Sequence, residues 1–204
     1  GSTNPPNGPA QARGLRLNSE KALPGYTLLS PLKDTNTYLL DMRGKVAHTW
    51  ESDLPPGNSV YLRPNGNLVR SARPLNNPVF GGGGEGGRIR EYSWTGDVLW
   101  ELHWNDKTRL QHHDFELLPN GNLLLISWEN KTAEQAIARG RVQDVDDPSP
   151  FWPDYLVEIK PEGKDGSRIV WEWHVWDHMV QFVDDEMPKY GYPAEFPGRI
   201  DING

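Results

Sequence analysis

The chain has 204 residues, 36% of them hydrophobic and nine of them Trp, enough for one sizeable domain with a real core. Its net charge of -7 comes without a basic stripe, which argues against nucleic acid as a partner. Zero Cys excludes disulfides, Cys-ligated zinc and thiol catalysis, and no apolar run approaches the roughly 20 residues of a membrane helix.

In chain order, residues 1–20 read as a flexible lead-in. Its polar, Pro-rich stretch "TNPPNGPAQA" is of the sort that follows a removed signal, so a periplasmic or secreted location is expected. Residues 21–204 read as one β-rich unit with an insertion at 130–154. "YLLDMRGKVAHTWE" (Tyr38 to Glu51) is a strand, a polar Gly turn and a strand carrying Trp. "YLRPNGNLVRS" (Tyr61 to Ser71) follows as a second hairpin type, built on Pro-Asn-Gly-Asn, where Asn-Gly suits the positive φ angles of a tight turn.

The run "GGGGEGGRIR" contains Gly-x-Gly-x-x-Gly, but a strand follows it where a dinucleotide site needs a helix. It is expected to be a mobile loop bordering a channel mouth, with Arg88 placed to meet an anionic substrate. "IREYSWTGDVLWELHW" (Ile89 to Trp104) repeats the first hairpin type. "ELLPNGNLLLIS" (Glu116 to Ser127) repeats the second, with Leu123 to Ile126 expected to be a strand buried on both faces. "KTAEQAIARG" (Lys131 to Gly140) is the only helix candidate, with Gly at its C-terminal cap. "YLVEIKPEGKDGSRIVWEWHVW" (Tyr155 to Trp176) gives the Trp hairpin a third time.

The Pro-Asn-Gly-Asn turns lie 55 residues apart, Asn65 to Asn120, and the turns at Gly44 and Gly96 lie 52 apart. Two hairpins in roughly 50 residues describe one four-stranded β-propeller blade. The fold expected is therefore all-β, a partial propeller of about three blades. Propellers close with about 4–8 blades, so the rest of the ring would come from the same gene or a partner chain.

With "HHDFELLPNGNLLLI", "VWEWHVWDHMVQ" and "FPGRIDIN" read together, the chain resembles the arylsulfotransferase (ASST-like) β-propeller family from about Tyr26 onward. The resemblance implies a six-bladed exported enzyme that moves a sulfuryl group between phenols through a covalent histidine, without a nucleotide cofactor. It places His113, seven residues before the Asn of its turn, as a channel histidine holding the sulfate, with His112 the adjacent candidate. It also implies a small anionic aromatic substrate. The family's Trp-x-His-x-Asn motif and nucleophilic histidine, which follow the Asp-Ile-Asn segment, are not in these residues.

Neutral imidazole can attack sulfur and imidazolium can neutralise sulfate or phenolate oxygens, so histidine suits that chemistry. The plainer alternative is a histidine at a hairpin mouth bonded to a backbone carbonyl. Strand alternation would send the His112 and His113 side chains to opposite faces, leaving His112 a structural residue. Trp128, Asn130 and His178 are candidates to line the substrate pocket together with Arg88. His178 follows Asp177 at the end of a Trp-rich strand, where a structural role competes with direct chemistry. Trp152 and Phe151 in the insertion are expected to contribute to a lid. His48, His103 and His174 lie on expected outer strands and read as ordinary. No metal is expected: His112, His113 and Asp114 are consecutive, and "RVQDVDDPSP" lacks the Gly and closing Glu of a calcium loop.

Overall fold

A computed structural model describes residues 14–77, 79–142 and 149–204. Strands make up 43% of the described residues and helices 7%, so the protein is all-β. The first sheet is antiparallel with three strands, β1 (Thr27–Leu29), β2 (Thr37–Leu40) and β3 (Val46–Trp50). The second sheet has four: β4 (Pro56–Leu62), β5 (Leu68–Ala72), β6 (Arg88–Tyr92) and β7 (Val98–His103). The third repeats it with β8 (Arg109–Leu117), β9 (Leu123–Glu129), β10 (Asp154–Glu162) and β11 (Gly166–His174). Both are simple antiparallel meanders in chain order.

The repeated hairpins owe their register to their turns. Arg63 N–H bonds the Asn67 carbonyl at 2.8 Å and Leu118 N–H bonds that of Asn122 at 2.9 Å, with Gly66 and Gly121 at φ 88 and 85. Only the glycine of each Asn-Gly pair takes positive φ; Asn65 and Asn120 instead accept the N–H of the residue two further on, at 3.0 Å. These are three-residue loops closed by a left-handed glycine rather than the tighter two-residue turn.

Two apolar clusters stack the sheets in series. Leu39 and Trp50 of the first sheet pack with Leu68 and Tyr92 of the second. Val69, Ile89, Trp100 and Leu102 of the second pack with Phe115, Leu123, Leu125, Tyr155, Val157 and Ile159 of the third. Period-two alternation explains the choice of residues, since the members of one strand lie two apart on one face. Leu123 and Leu125 are fully buried, but Leu124 and Ile126 are only half-buried, so this strand is closed on one face rather than both.

The connection from β9 to β10 carries helix α1 (Ala133–Ala138). Thr132 and Gln135 form a reciprocal capping box at its start, and Gly140 at φ 95 ends it. The acidic stretch Asp144, Asp146 and Asp147 lies outside the described residues. After β11 the chain forms one helical turn, α2 (Val175–His178), then β12 (Met179–Val180), which pairs in parallel with β13 (Ile200–Asp201).

Candidate functional site

The histidine pair sits in a bulge. β8 pairs with β9 up to Gln111 opposite Ser127 and resumes at Phe115 opposite Leu125, leaving three residues of β8 against one of β9. His113 adopts φ 51, one of two non-glycine residues with positive φ among the described residues. That kink cancels the alternation expected of a regular strand. The two rings do not face opposite ways: His112 Nδ1 and His113 Nδ1 are 2.8 Å apart, with the rings at 87°.

His112 is the buried member, 3% exposed, and His113 the exposed one. The His112 ring stacks on Trp128 at 4.2 Å and 16°, and its Nε2 donates to Asp154 Oδ1 at 3.1 Å. Asp154 begins β10 directly opposite Trp128, which explains why residues 42 apart in sequence meet here. His112 is thus stacked and hydrogen-bonded through both ring nitrogens, to His113 and to Asp154, so the expectation overturned is that the two rings face apart.

The glycine-rich run is what holds His113. Gly84 O accepts the His113 N–H at 2.7 Å, Gly86 N–H bonds Gln111 O at 3.1 Å, and Gly87 N–H bonds Gln111 Oε1 at 2.9 Å. A Cβ on Gly84 would lie 2.4 Å from the His113 ring, and one on Gly86 2.1 Å from Gln111 Oε1. Glycine is required there by close backbone approach, and the run is pinned to β8 rather than free over a channel mouth.

Two connections converge on Trp128. Phe80, from the β5–β6 connection, is 3% exposed and lies 6.2 Å from Trp128 and 5.3 Å from Trp152. Trp152, from the β9–β10 connection, lies 6.1 Å from Trp128. Its Nε1 is buried without a hydrogen-bond partner among the described residues, leaving a donor that a bound acceptor would satisfy. Of the expected lid pair, Trp152 therefore meets the histidines' neighbour. Phe151 turns elsewhere, 6.3 Å from Trp176 and beneath Arg141. Phe80 carried no repeat or motif signal, because only the fold brings its connection over β9.

The remaining expected pocket residues are placed otherwise. Arg88 is ion-paired with Glu101, which also takes Arg90, so its charge is committed inside the second sheet rather than offered to an anion. Burial would raise the Glu101 carboxyl, but hydrogen bonds from Arg90 and Arg88 outweigh it and hold the pKa below the ordinary value. Asn130 Nδ2 donates to Lys107 O at 3.1 Å and its N–H to Thr108 O at 2.8 Å, which ties β9 to the β7–β8 connection. His178 Nε2 accepts from Trp173 Nε1 at 3.2 Å and Nδ1 bonds His174 O at 2.9 Å, closing α2 onto β11. His48 and His174 stack on Trp94 and Tyr155, at 4.0 and 4.8 Å.

Two tyrosines tie the strands under the site together. Tyr155 OH receives Trp104 Nε1 at 3.0 Å, and burial raises the Tyr155 phenol to about 12. Tyr61 OH donates to Asp114 Oδ1 at 2.7 Å across β4 and β8; burial first and that carboxylate second raise the Tyr61 phenol to about 12. Among the described residues no group of three acidic or histidine side chains is placed to hold a metal ion, and no helix is long and apolar enough to cross a membrane. No family model matches the chain, and no curated protein matches it.

Proposed function

We propose that this chain forms part of a β-propeller enzyme that moves a sulfuryl group between phenolic compounds, with the His112–His113 bulge in its active site. The observation that carries the reading is the pairing of two mutually bonded imidazoles with an aromatic wall of Trp128, Trp152 and Phe80. Aryl rings stack on such walls with centroids about 4.5–7 Å apart. An imidazole at that wall supplies either a nucleophilic lone pair or an N–H for a developing oxyanion. No nucleotide is required for this chemistry, and the acceptor is a second phenol. The location would be periplasmic or secreted.

The propeller reading draws on a contact repeated between sheets. His48, paired with Leu39 beside a register shift, bonds the Trp94 carbonyl in the second sheet's outer turn at 2.7 Å. Trp100, paired with Glu91 at the corresponding shift, donates to Gly166 O at the third sheet's outer turn at 3.0 Å. Trp171, paired with Glu158 at the third such shift, is 46% exposed. Half-buried Leu124, Ile126 and Leu156 share its sheet face. A fourth sheet stacked like the others would cover them, and six in all would close a ring. The remaining half comes from the same gene or a partner chain.

The test is an assay of the whole protein with 4-nitrophenyl sulfate as donor and a phenol as acceptor, with mass spectrometry for a sulfated histidine. Transfer that His113→Ala abolishes is the expected result. Release of nitrophenol without an acceptor would indicate hydrolysis instead, and neither turnover nor an adduct would overturn the reading.

A further inference from the structure

We infer that Asp154, His112 and His113 form a proton relay that makes His113 Nε2 the base for the hydroxyl of an incoming phenol. The inference rests on the reading above that the site receives phenols, and it assigns a role to each of the three groups.

Asp154 accepts only, so the 3.1 Å contact places a proton on His112 Nε2. In the neutral ring that leaves a lone pair on His112 Nδ1. The 2.8 Å contact between the two Nδ1 atoms then needs a donor, and His113 Nδ1 is the one available. A neutral His113 with its proton on Nδ1 has its lone pair on Nε2. The tautomer at the exposed ring is therefore written by a carboxylate two hydrogen bonds away.

The same chain can carry charge inward. A phenol gives its O–H proton to His113 Nε2 and becomes phenolate. His113 passes its Nδ1 proton to His112 Nδ1 and stays neutral, now protonated on Nε2. His112 becomes imidazolium beside the Asp154 carboxylate, its face against Trp128, a stack that favours a cation. No bond other than those to hydrogen changes, and the reverse path returns the proton to a departing phenolate. The other carboxylates near the bulge are otherwise engaged: Asp114 accepts from Tyr61 OH, and Glu85 from Gly82 N–H.

The geometry of His113 argues that this arrangement is held on purpose. A histidine at φ 51 adopts a left-handed conformation that residues with a side chain rarely occupy. It persists because Gly84 fixes both its N–H and its ring. Without the kink the two imidazoles would alternate across the strand and the relay would break.

Nitrogen-15 NMR of the histidine rings tests the inference directly. The expected result is a protonated Nδ1 and bare Nε2 on His113, with the opposite pattern on His112. Asp154→Ala should mix the His113 tautomers. It should also lower the phenolate-to-phenol ratio of bound 4-nitrophenol, read from its visible absorbance, by about tenfold. Asp154→Asn retains an acceptor oxygen and should keep the tautomer but not the bound phenolate. A His113 protonated on Nε2 and bare on Nδ1 would overturn the relay even if 4-nitrophenol shifts both rings, which would leave the site reading intact. If neither 4-nitrophenol nor 4-nitrophenyl sulfate shifts either ring, the site reading fails and the relay with it.

Discussion

The second and third sheets carry the same bulge with different contents. β4 loses register between Pro56 and Val60, as β8 does between Gln111 and Phe115. At the 55-residue offset of the repeat, Gly57 and Asn58 correspond to His112 and His113, where Ser59 and Val60 correspond to Asp114 and Phe115. In β4 the bulge is filled by its own sheet: a Cβ on Gly57 would meet Ser71 Oγ at 2.2 Å, and Ser59 bonds Ser71 three times at 3.3 Å. In β8 the same irregularity projects two imidazoles, and the left-handed backbone appears only there. A repeat can keep a bulge as architecture in one copy and fill it with a pair of hydrogen-bonded imidazoles in the next.

The β8 bulge is most sensitive to change at Gly84. Gly84→Ala adds a Cβ into the His113 ring at a residue with φ 87, and an expected loss of about 3 kcal/mol combines backbone strain with overpacking. Urea denaturation measures it, and the two Nδ1 atoms should separate in the same variant.

Next in size is alkaline destabilisation through Tyr155, which links the second and third sheets. Its folded pKa of about 12 lies above the ordinary 10.0, so the unfolded chain ionises first as pH rises. The contribution, about 2–3 kcal/mol, is full below pH 10 and lost as pH rises toward about 12. Tyr155→Phe should flatten that limb in denaturation curves taken across the range.

Gly57→Ala should cost about 2 kcal/mol by collision with Ser71, and Ser71→Ala should recover part of it. A Gly57→Ala variant as stable as wild type would mean the β4 bulge is not packed as described. The smallest effect has the opposite sign. His113→Gly should raise stability by about 1 kcal/mol by relieving the left-handed backbone, while abolishing any site function. Asn58→Gly, at a residue without positive φ, should give no such gain.

Much of this was legible from local chemistry. The hairpins, the capped helix and the doubled turn types follow from residues within a few positions of one another, where backbone preference decides. The histidine pair was legible as a departure from the repeat. Its internal contact was not, because alternation holds only where the strand stays in register and the bulge removes it. Asp154, Phe80 and the burial of Trp152 Nε1 had no local signal at all. Arg88 misled for a related reason: the Glu101 that neutralises it lies across the sheet on β7.

The all-β class, the strand and turn plan of each repeat and the singling-out of residues 112 and 113 follow from short-range sterics and period-two burial. Packing alone makes the two imidazoles face each other, sets Asp154 behind them and stands an aromatic wall beside them. Those contacts join residues up to 72 positions apart, Phe80 to Trp152, and form only when the stacking of two sheets brings their connections together.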